Sequence, residues 1–349
     1  MAEPTVRLLA SDELTGATRL VGRQMLAPLT DEVANGWAEV WEGNPSHGAF
    51  ADKELVGVCH WFPTRLAIPG LPVDAGAVTG VAVLSNHRRQ GHLSRLMQAQ
   101  LRHIADAGAP VAVLIAAEYP IYGRFGYGPA TEACTLTLDT KAARFRDEQT
   151  GSIVLVDPPE LRPALQQAHE ARWTRTPGAM LRTDFWWDRM AGVAPRPGEP
   201  LDVKLQRGAL WYDGTGQLGG AVVYKVEERW TDNRPDGVAN VELLFGATPE
   251  AERELWRHLC TVDWCATAKA GGRALDDPLP FWLQDARMAR SSDRSDNMWL
   301  RLLDLPAAFA ARRSAIAGSA VLEVDDPLGF VAGRWLVELG PDGGSARPT

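Results

Sequence analysis

One loop of the sequence has residue types that suit phosphate binding. The stretch Arg88-Arg89-Gln90-Gly91-His92-Leu93 combines positive charge with a glycine, follows an apolar run at 78–84 and leads directly into a helical pattern. Free backbone N–H groups at a helix N-terminus bind phosphate or pyrophosphate, and glycine lets the backbone approach the ligand closely. An exposed basic cap on an ordinary helix is the alternative for these residues taken alone. Neither GxxxxGK[ST] nor GxGxxG follows a predicted strand, which argues against the common nucleotide-binding loops.

The elements around this loop predict a mixed sheet with a strand–loop–helix–strand unit at its centre. Apolar residues at helical spacing follow the loop, and Gly108-Ala109-Pro110 ends that helix before a strand at 111–116. The other predicted elements are a strand at 5–9, a helix that begins at Ser11 and ends at Pro28, a hairpin of 48–51 with 55–62, and strands at 65–68 and 78–84.

A second block, which begins near Gln149, repeats the order of hairpin, strand and helix. Its predicted elements are a helix at 161–173, a hairpin of Val203–Tyr212 with 217–227, a strand at 238–245 and a helix that begins at Thr248-Pro249. The strand-to-helix junction at 245–249 has no arginine and no second glycine. We therefore expect a structural duplication in which only the first copy has a phosphate loop.

A third piece follows the polar stretch 290–297, which we interpret as a separator. The piece holds a predicted strand at 298–303, a helix at 306–313 and strands at 320–324 and 335–339. Residues 341–349 have the composition of a flexible tail.

Composition limits the classes of function. At roughly 100–200 residues per domain, 349 residues predict two or three domains. The net charge of −8 gives no reason to expect a nucleic acid and favours cationic small molecules. No apolar run reaches the ~18 residues of a membrane span and the start lacks a leader pattern, so we expect a cytosolic protein without a membrane partner.

Metal and disulfide sites are not expected. The four cysteines, Cys59, Cys134, Cys260 and Cys265, lack zinc spacing and are interpreted as buried thiols in a reducing compartment. His87 and His92 lie five residues apart, so they do not share a helix face as metal ligands would.

A second segment identifies the family that the first loop resembles. After the strand at 111–116 comes Ala116-Ala117-Glu118-Tyr119-Pro120-Ile121-Tyr122-Gly123-Arg124-Phe125-Gly126-Tyr127-Gly128. Together the segments resemble the GNAT acetyltransferase superfamily, with its R/Q-x-x-G-x-G/A loop and its Tyr-x-x-x-Gly-Tyr/Phe helix. Leu93 stands where the loop motif ends in glycine or alanine, which the enhanced-intracellular-survival (Eis) branch tolerates. The longer string from Val81 to Thr131 resembles that branch.

The resemblance implies a role for each matched residue. The implied acetyl-CoA contacts are the main chain at Val81, Ala82 and Val83, the pyrophosphate loop Arg89, Gln90, Gly91, His92, Leu93 and Ser94, and the pair Ala117 and Glu118. Tyr122 is implied to protonate the departing thiolate, a task that suits a phenol with a pKa of about 10. Core packing of Tyr122, with Tyr127 as the donor, is the alternative.

The resemblance also implies an architecture, an α/β fold with α+β mixed sheets. We expect a catalytic GNAT domain at 1–145, a degenerate GNAT-like domain at 146–290 and a partial sterol-carrier-protein-like domain at 297–349. The branch is implied to form homohexamers and to use its own terminal carboxylate as the general base. The third piece is too short for such a domain at ordinary sizes, so we expect a truncated chain, with Thr349 or another carboxylate as the alternative base.

The acceptor substrate is predicted from a few residues of one segment and not from a motif. Trp37 and Trp41 are candidate substrate residues, and with Trp61 they could form the wall of an apolar pocket. Asp31, Glu32, Glu39 and Glu42 on the same segment suit a bulky polyamine, and Eis-like enzymes acetylate aminoglycosides and lysine-like amines. A solvated helix face over a tryptophan core is the alternative.

Two classes of function follow. The first is an acetyl-CoA-dependent N-acetyltransferase that acts on a small-molecule amine without a metal. The second is a non-catalytic sensor that binds acyl-CoA or lipid. The loop and Tyr122 favour the enzyme, whereas the short third piece favours the sensor.

Overall fold

The computed structural model describes residues 5–27, 30–198 and 206–349, which form two compact units. The first comprises Met1–Ala130, Thr174–Leu181 and Met298–Thr349, and the second comprises Thr131–Trp173 and Arg182–Asn297. The ranges expected from the sequence differ from this division, because residues 298–349 group with the first unit and the strand that begins at Glu132 groups with the second. Pro28 and Val203, the predicted end of a helix and start of a strand, lie outside the described residues.

The helices and strands fall into three successive stretches of the chain. The first unit opens with β1 (Thr5–Leu8), α1 (Leu14–Gln24), α2 (Asp31–Trp41), β2 (Ser46–Ala51), β3 (Glu54–Leu66), β4 (Val73–Val83), α3 (His92–Asp106), β5 (Val111–Ile115), α4 (Tyr119–Tyr122) and β6 (Gly128–Pro129). The second unit contains β7 (Glu132–Asp139), β8 (Ser152–Val156), α5 (Pro158–Glu170), α6 (Asp184–Ala191), β9 (Gln206–Tyr212), β10 (Leu218–Glu227), β11 (Trp230–Thr231), β12 (Arg234–Pro235), β13 (Gly237–Gly246), α7 (Pro249–Leu259), β14 (Cys265–Arg273), α8 (Leu279–Trp282) and β15 (Ala289–Asp296). The chain then returns to the first unit with β16 (Met298–Leu302), α9 (Leu305–Ala311), β17 (Gly318–Val324), β18 (Gly333–Gly340) and β19 (Gly343–Pro348).

The main sheet of the first unit has the order β1-β2-β3-β4-β5-β16-β6. β4 and β5 are parallel, which requires the crossover that α3 supplies, and the other neighbours are antiparallel. The predicted periodicity of α3 is confirmed, since Leu96, Met97, Leu101 and Ile104 are fully buried. β5 and β6 flank the tyrosine segment, and each pairs with β16.

The sheet of the second unit repeats this plan. Its order is β8-β9-β10-β13-β14-β7-β15, and β13 and β14 are the parallel neighbours with α7 between them in sequence. The strand next to β14 is β7, which precedes the rest of the sheet in sequence, just as the strand next to β5 is β16, which comes long after it. The predicted structural duplication is confirmed, and each sheet includes a strand that is distant in sequence from its neighbours.

Three local predictions were wrong. The segment 65–68 is not a separate strand, because β3 continues through Leu66. The polar stretch 290–297 is not a separator but forms the edge strand β15, whose side chains are mostly exposed and so can be polar. The tail at 341–349 is not free, because Gly340 pairs with Gly343 across Pro341-Asp342 and β19 continues as a hairpin partner of β18.

The segment after β16 packs α9 and the small sheet β17-β18-β19 around a minor core. Leu305, Val331 and Val337 are its buried members. Thr349 follows β19, and its backbone N–H donates to the carbonyl of Arg334 at 2.9 Å. In the described part of the chain, no helix is both long and apolar enough to cross a membrane.

Candidate active site

The parallel strands β4 and β5 separate part of the way along their length. Their paired residues are Ala75 with Val111, Gly76 with Ala112 and Ala77 with Val113. Beyond Ala77, β4 continues to Val83 paired with β3. Among the described residues, no strand pairs with the edge of β4 that faces away from β3 between Val78 and Val83, which we call the β4–β5 cleft. Backbone groups along such an edge can hydrogen-bond an extended ligand.

A bend in β4 accompanies this separation. The pairing of β3 with β4 shifts register between Val58 and His60, and Gly80 has a positive φ of 58°. A Cβ on Gly80 would lie 2.6 Å from Cδ2 of His60, so both backbone conformation and space require glycine here. Bulges of this kind bend a strand and are frequent beside active sites.

The predicted phosphate loop joins β4 to α3 in a strained conformation. Arg89 and Gly91 have φ values of 63° and 81°, and Gly91 is the N-cap of α3. No side chain caps the helix and its first turn holds no acidic residue. The N–H groups of that turn can therefore serve a ligand, and the helix dipole favours an anion there. A Cβ on Gly91 would lie 2.9 Å from Nη1 of Arg95, which donates to the carbonyl of Gln90 at 3.3 Å.

The structure brings the predicted acetyl-CoA residues to one end of the sheet. Val81, Ala82 and Val83 end β4, and Arg89, Gln90, Gly91, His92, Leu93 and Ser94 form the loop and the start of α3. Ala117 and Glu118 are exposed directly after β5. Because β4 and β5 are parallel, both groups lie at the carboxyl ends of separating strands, where open sheets bind ligands. His92 is buried, and its ring lies 5.9 Å from that of His87.

Tyr122 ends the short helix α4 and is buried in the core between the sheet and α3. Burial, with smaller contributions from Cys59 and Glu118, raises the pKa of the Tyr122 phenol. The phenol therefore keeps its proton through the neutral range and can act as a donor.

Tyr127 differs from Tyr122 in its surroundings. The two rings meet edge to face at 6.0 Å, but the Tyr127 hydroxyl is buried without a hydrogen-bond partner. Burial raises the pKa of this phenol strongly. Tyr127 is therefore a core residue, which leaves Tyr122 as the better candidate of the two.

The tryptophans do not form one wall. Trp37 and Trp41 lie half-buried on α2. Trp61, however, packs with Met97 and Leu101 of α3, while its strand neighbour His60 points to the other face of β3 and stacks on Trp41 at 4.6 Å. Trp61 is therefore a core residue. Of the acidic side chains on this segment, Asp31 is paired with Arg19, whereas Glu32, Glu39 and Glu42 are exposed.

His60 is a site residue that was not predicted from the sequence. Its Nδ1 lies 2.6 Å from the Ser46 hydroxyl and its Nε2 has no partner. Burial, with a smaller contribution from His47, lowers the pKa of His60 to about 4. His60 thus supports the bend at Gly80 as a neutral ring. Its position inside the apolar strand at 55–62 was the available signal.

The corresponding place in the second unit is built differently. β13 and β14 pair from Gly237 to Val241 and then separate. The Arg273 guanidinium crosses to the Leu244 carbonyl at 3.4 Å and pairs with Asp277 and Glu252. We call the space between 242–246 and 271–273 the β13–β14 cleft.

The helix that follows β13 also differs from α3. The Thr248 side chain caps α7, because its hydroxyl accepts a hydrogen bond from the Ala251 N–H at 3.1 Å. Pro249 has no N–H that could donate to a ligand. Glu250 places negative charge in the first turn, where Glu252 is buried and paired with Arg172 at 2.7 Å as well as with Arg273. The cap, the proline and these acidic residues therefore leave no free site for an anion at this N-terminus. Among the described residues, no group of His, Cys, Asp and Glu side chains could hold a metal ion in either unit.

Comparisons with known families agree with both halves of this description. A family model described as an acetyltransferase (GNAT) domain matches residues 5–130, and another with the same description matches residues 178–302. The second match confirms that the duplicated sheet is also GNAT-like.

Individual relatives narrow the family. The chain is 38% identical over 309 residues to an uncharacterized N-acetyltransferase of Streptomyces avermitilis, which covers 86% of this chain and 73% of that protein. It is 36% identical over 313 residues to N-acetyltransferase Eis of Mycobacterium tuberculosis, again covering 86% of this chain and 73% of the relative. The crystal structure of Eis1 from Mycobacterium abscessus superimposes with a TM-score of 0.83 at 29% identity, over 99% of this chain and 85% of that one. The chain therefore belongs to the GNAT superfamily as an Eis-like N-acetyltransferase.

Proposed function

We propose that the first unit binds acetyl-CoA and transfers its acetyl group to an amine of a polycationic small molecule, such as an aminoglycoside, or to a lysine-like amine. The observation that carries the proposal is the open edge of β4, which leads into the uncapped N-terminus of α3. Tyr122 lies at the end of the short helix α4, after the neighbouring strand β5.

The residues present fit acetyl-CoA. Backbone groups at Val81 and Val83 on the open edge suit an extended, amide-containing chain, and the loop from Arg89 to Ser94 suits a pyrophosphate because glycine leaves room and no acid lies in the first turn. Ala117 and Glu118 supply the opposite side at the end of β5. When bound, acetyl-CoA supplies an acetyl thioester and a thiolate leaving group.

Tyr122 is the proposed proton donor. Its raised pKa keeps a proton on the phenol oxygen at neutral pH, and burial among apolar side chains excludes competing water. A donor of this basicity matches a departing thiolate, and general acid catalysis contributes roughly 10²- to 10⁴-fold to rate.

The acceptor is proposed to lie against α2. Trp37 and Trp41 are half-buried there, and Glu32, Glu39 and Glu42 leave negative charge exposed on the same segment. Together with the net charge of −8, these carboxylates attract a polycation. Apolar ring surface beside carboxylates suits an amine carried on a bulky ring system.

The resemblance supports three further parts of the proposal. They are a homohexamer, a cytoplasmic location, where acetyl-CoA is available, and a sterol-carrier-protein-like character for the segment of α9 and β17-β18-β19. Light scattering after size-exclusion chromatography tests the hexamer, which predicts six times the mass of one 38.0 kDa chain.

A thiol-detection assay tests the transfer. The protein is incubated with acetyl-CoA and a panel of aminoglycosides, polyamines and lysine-containing peptides, and released CoA is measured. We expect CoA release with at least one polycationic amine and mass spectra that show the acetylated product. Binding of acetyl-CoA without CoA release on any amine would contradict the enzyme and favour the acyl-CoA sensor.

A further inference from the structure

A buried ion pair in the C-terminal part of the first unit lies beside the tyrosine turn. Arg301 on β16 and Asp326, which follows β17, are joined at 2.6 Å between Nη2 and Oδ1, and their side chains are only 3% and 1% exposed. Replacing a buried ion pair by apolar side chains seldom reduces stability. The geometry that this pair specifies is therefore of more interest than its contribution to stability.

Asp326 is held by the turn that it begins. Its carboxylate accepts hydrogen bonds from the N–H groups of Leu328 at 3.0 Å and Val331 at 2.9 Å, and from the Arg301 guanidinium. Burial favours the neutral acid, but the hydrogen bonds from Arg301 and these N–H groups outweigh it and lower the pKa of Asp326. The carboxylate thus stays charged and fixes the guanidinium in one place.

Arg301 packs against the backbone of the motif that carries Tyr122. A Cβ on Gly126 would lie 2.8 Å from the Arg301 Cζ, and Gly126 has a φ of 81°. The N–H of Gly126 donates to the Gly123 carbonyl at 2.9 Å, and that of Tyr127 donates to the Tyr122 carbonyl at 3.4 Å. The guanidinium thus lies against the residue at which the chain turns back from Tyr122.

The strands on either side of this turn both pair with β16, the strand that carries Arg301. β5 leads into the turn and β6 leaves it, and both pair with β16 rather than with each other. Trp299, on β16, meets the Tyr119 ring edge to face at 4.7 Å. β16 therefore holds the ends of the turn, and Arg301 supports its middle.

We propose that Arg301, fixed by Asp326, is a positioning residue for the proton donor: it sets the turn 123–127 and through it the place of the Tyr122 phenol. The inference rests on the proposed role of Tyr122. It assigns to the segment after the second unit a direct part in the geometry of the first unit's reaction.

Three variants test the role by steady-state kinetics. Asp326→Asn removes the charge that fixes Arg301, and Gly126→Ala pushes a methyl group against the guanidinium with every charge kept. For both we expect kcat to fall about tenfold, a fraction of what a general acid contributes, and KM for acetyl-CoA to change less than about twofold. Asp277→Asn is the matched control, because it breaks a buried arginine pair in the second unit, where Asp277 is 3% exposed. It should lower stability and leave kcat unchanged.

The pH profile supplies a readout that lost stability does not move. Burial raises the pKa of Tyr122, so the alkaline fall in kcat should lie above the ordinary phenol value of about 10. A misplaced turn admits water to the phenol and returns its pKa toward that value. In Asp326→Asn and Gly126→Ala the alkaline limb should therefore shift to lower pH, and in Asp277→Asn it should not.

A double variant separates this inference from the proposed function. In a Tyr122→Phe background, Gly126→Ala should reduce kcat little further, since the donor that it displaces is already gone. Full additivity of the two losses would overturn the positioning role and leave the donor intact. A Tyr122→Phe protein with normal kcat would instead overturn the proposed donor. If Asp326→Asn does not fold, Gly126→Ala, which removes no charge, decides the question.

Discussion

Beyond Val241, β13 and β14 separate as β4 and β5 do beyond Ala77, but the side chains in and around the two clefts differ. In the first unit the edge of β4 is open and α3 begins at Gly91 without a side-chain cap. In the second unit Arg273 spans the cleft to Leu244. The same sheet thus has an open strand edge in one unit and a cleft spanned by an arginine side chain in the other.

The helices after the two clefts differ in electrostatics as well as in space. α3 has no acidic residue in its first turn, whereas α7 has Glu250 and Glu252, a Thr248 cap and a proline. Charge at a helix N-terminus contributes typically 0.3–1 kcal/mol, with the sign set by the ion. The strand order alone therefore does not determine where a pyrophosphate can bind. The difference in capping and in first-turn charges favours α3, the site that we propose.

The loops after β5 and β14 extend the contrast to the chemistry. α4 ends in Tyr122, whose phenol can hold a proton for transfer. α8 occupies the corresponding place after β14 and reads Leu279-Pro280-Phe281-Trp282, which has no titratable side chain. The second unit thus has a short helix at this place, without a phenol that corresponds to the proposed donor Tyr122.

The largest expected effect is the loss of that donor. Tyr122→Phe should lower kcat roughly 10²- to 10⁴-fold and leave KM for acetyl-CoA nearly unchanged, because the phenol acts only in the transfer step. Tyr127→Phe is the control, since it removes a buried hydroxyl that has no partner, and it should leave kcat unchanged and stability equal or higher. Equal losses in the two variants would remove the distinction between the tyrosines.

A smaller effect should follow from closing the phosphate loop. Gly91→Ala places a methyl group 2.9 Å from Nη1 of Arg95 at a φ of 81°, and we expect KM for acetyl-CoA to rise about tenfold with kcat little changed. Gly108→Ala, at the other end of α3, carries the same backbone strain at a φ of 86° with nothing within 4 Å of the added methyl. It should lower stability similarly, by about 1 kcal/mol, without affecting KM. A similar rise in KM for both would mean that the loop is not the binding site.

The smallest effect on activity is expected from mild acid, which should lower the stability of both units through their buried histidines. Burial lowers the pKa of His47, His60 and His169 to about 4. These rings are neutral in the folded chain, so the unfolded chain takes up protons first as the pH falls. Their contribution to stability is therefore complete above pH ~6.5 and is lost as the pH falls toward 4. At pH 5 each of these histidines should lower the free energy of unfolding by about 2 kcal/mol.

His169→Phe isolates the second unit's share of this acid sensitivity. Its ring lies among Trp173, Trp187 and Phe245, so phenylalanine suits the site. Thermal unfolding from pH 7 to pH 5 should show a shallower loss of Tm in this variant, while KM for acetyl-CoA stays unchanged at pH 7. A slope equal to that of the unmodified chain would show that His169 is not buried as a neutral ring.

Patterns that are local in sequence predicted much of the fold and the site. The helical spacing of Leu96 and Leu101 gave α3, and the order of hairpin, strand and helix gave the duplication. Tyr122 and the loop at 88–93 could be predicted as site residues because each motif is contiguous in sequence. The face of Trp61 was misjudged, since one residue along β3 reverses the side of the sheet.

Interactions distant in sequence were not predictable in this way. The whole second unit lies between β5 and β16 in sequence, and their pairing brings Arg301 to the turn at Gly126. Asp326 reaches Arg301 from 25 residues further along the chain. No spacing rule connects Arg273 with Leu244 or Glu252. The polar composition of β15 is typical of a linker, and an edge strand whose side chains are exposed can have the same composition.

Binding stoichiometry tests the contrast between the two clefts most directly. Isothermal titration of the full chain with acetyl-CoA should give one site per chain, weakened about tenfold by Gly91→Ala and unchanged by Glu252→Gln in the second unit. Two sites per chain, or one site that is weakened by Glu252→Gln and not by Gly91→Ala, would contradict the assignment of acetyl-CoA to the β4–β5 cleft.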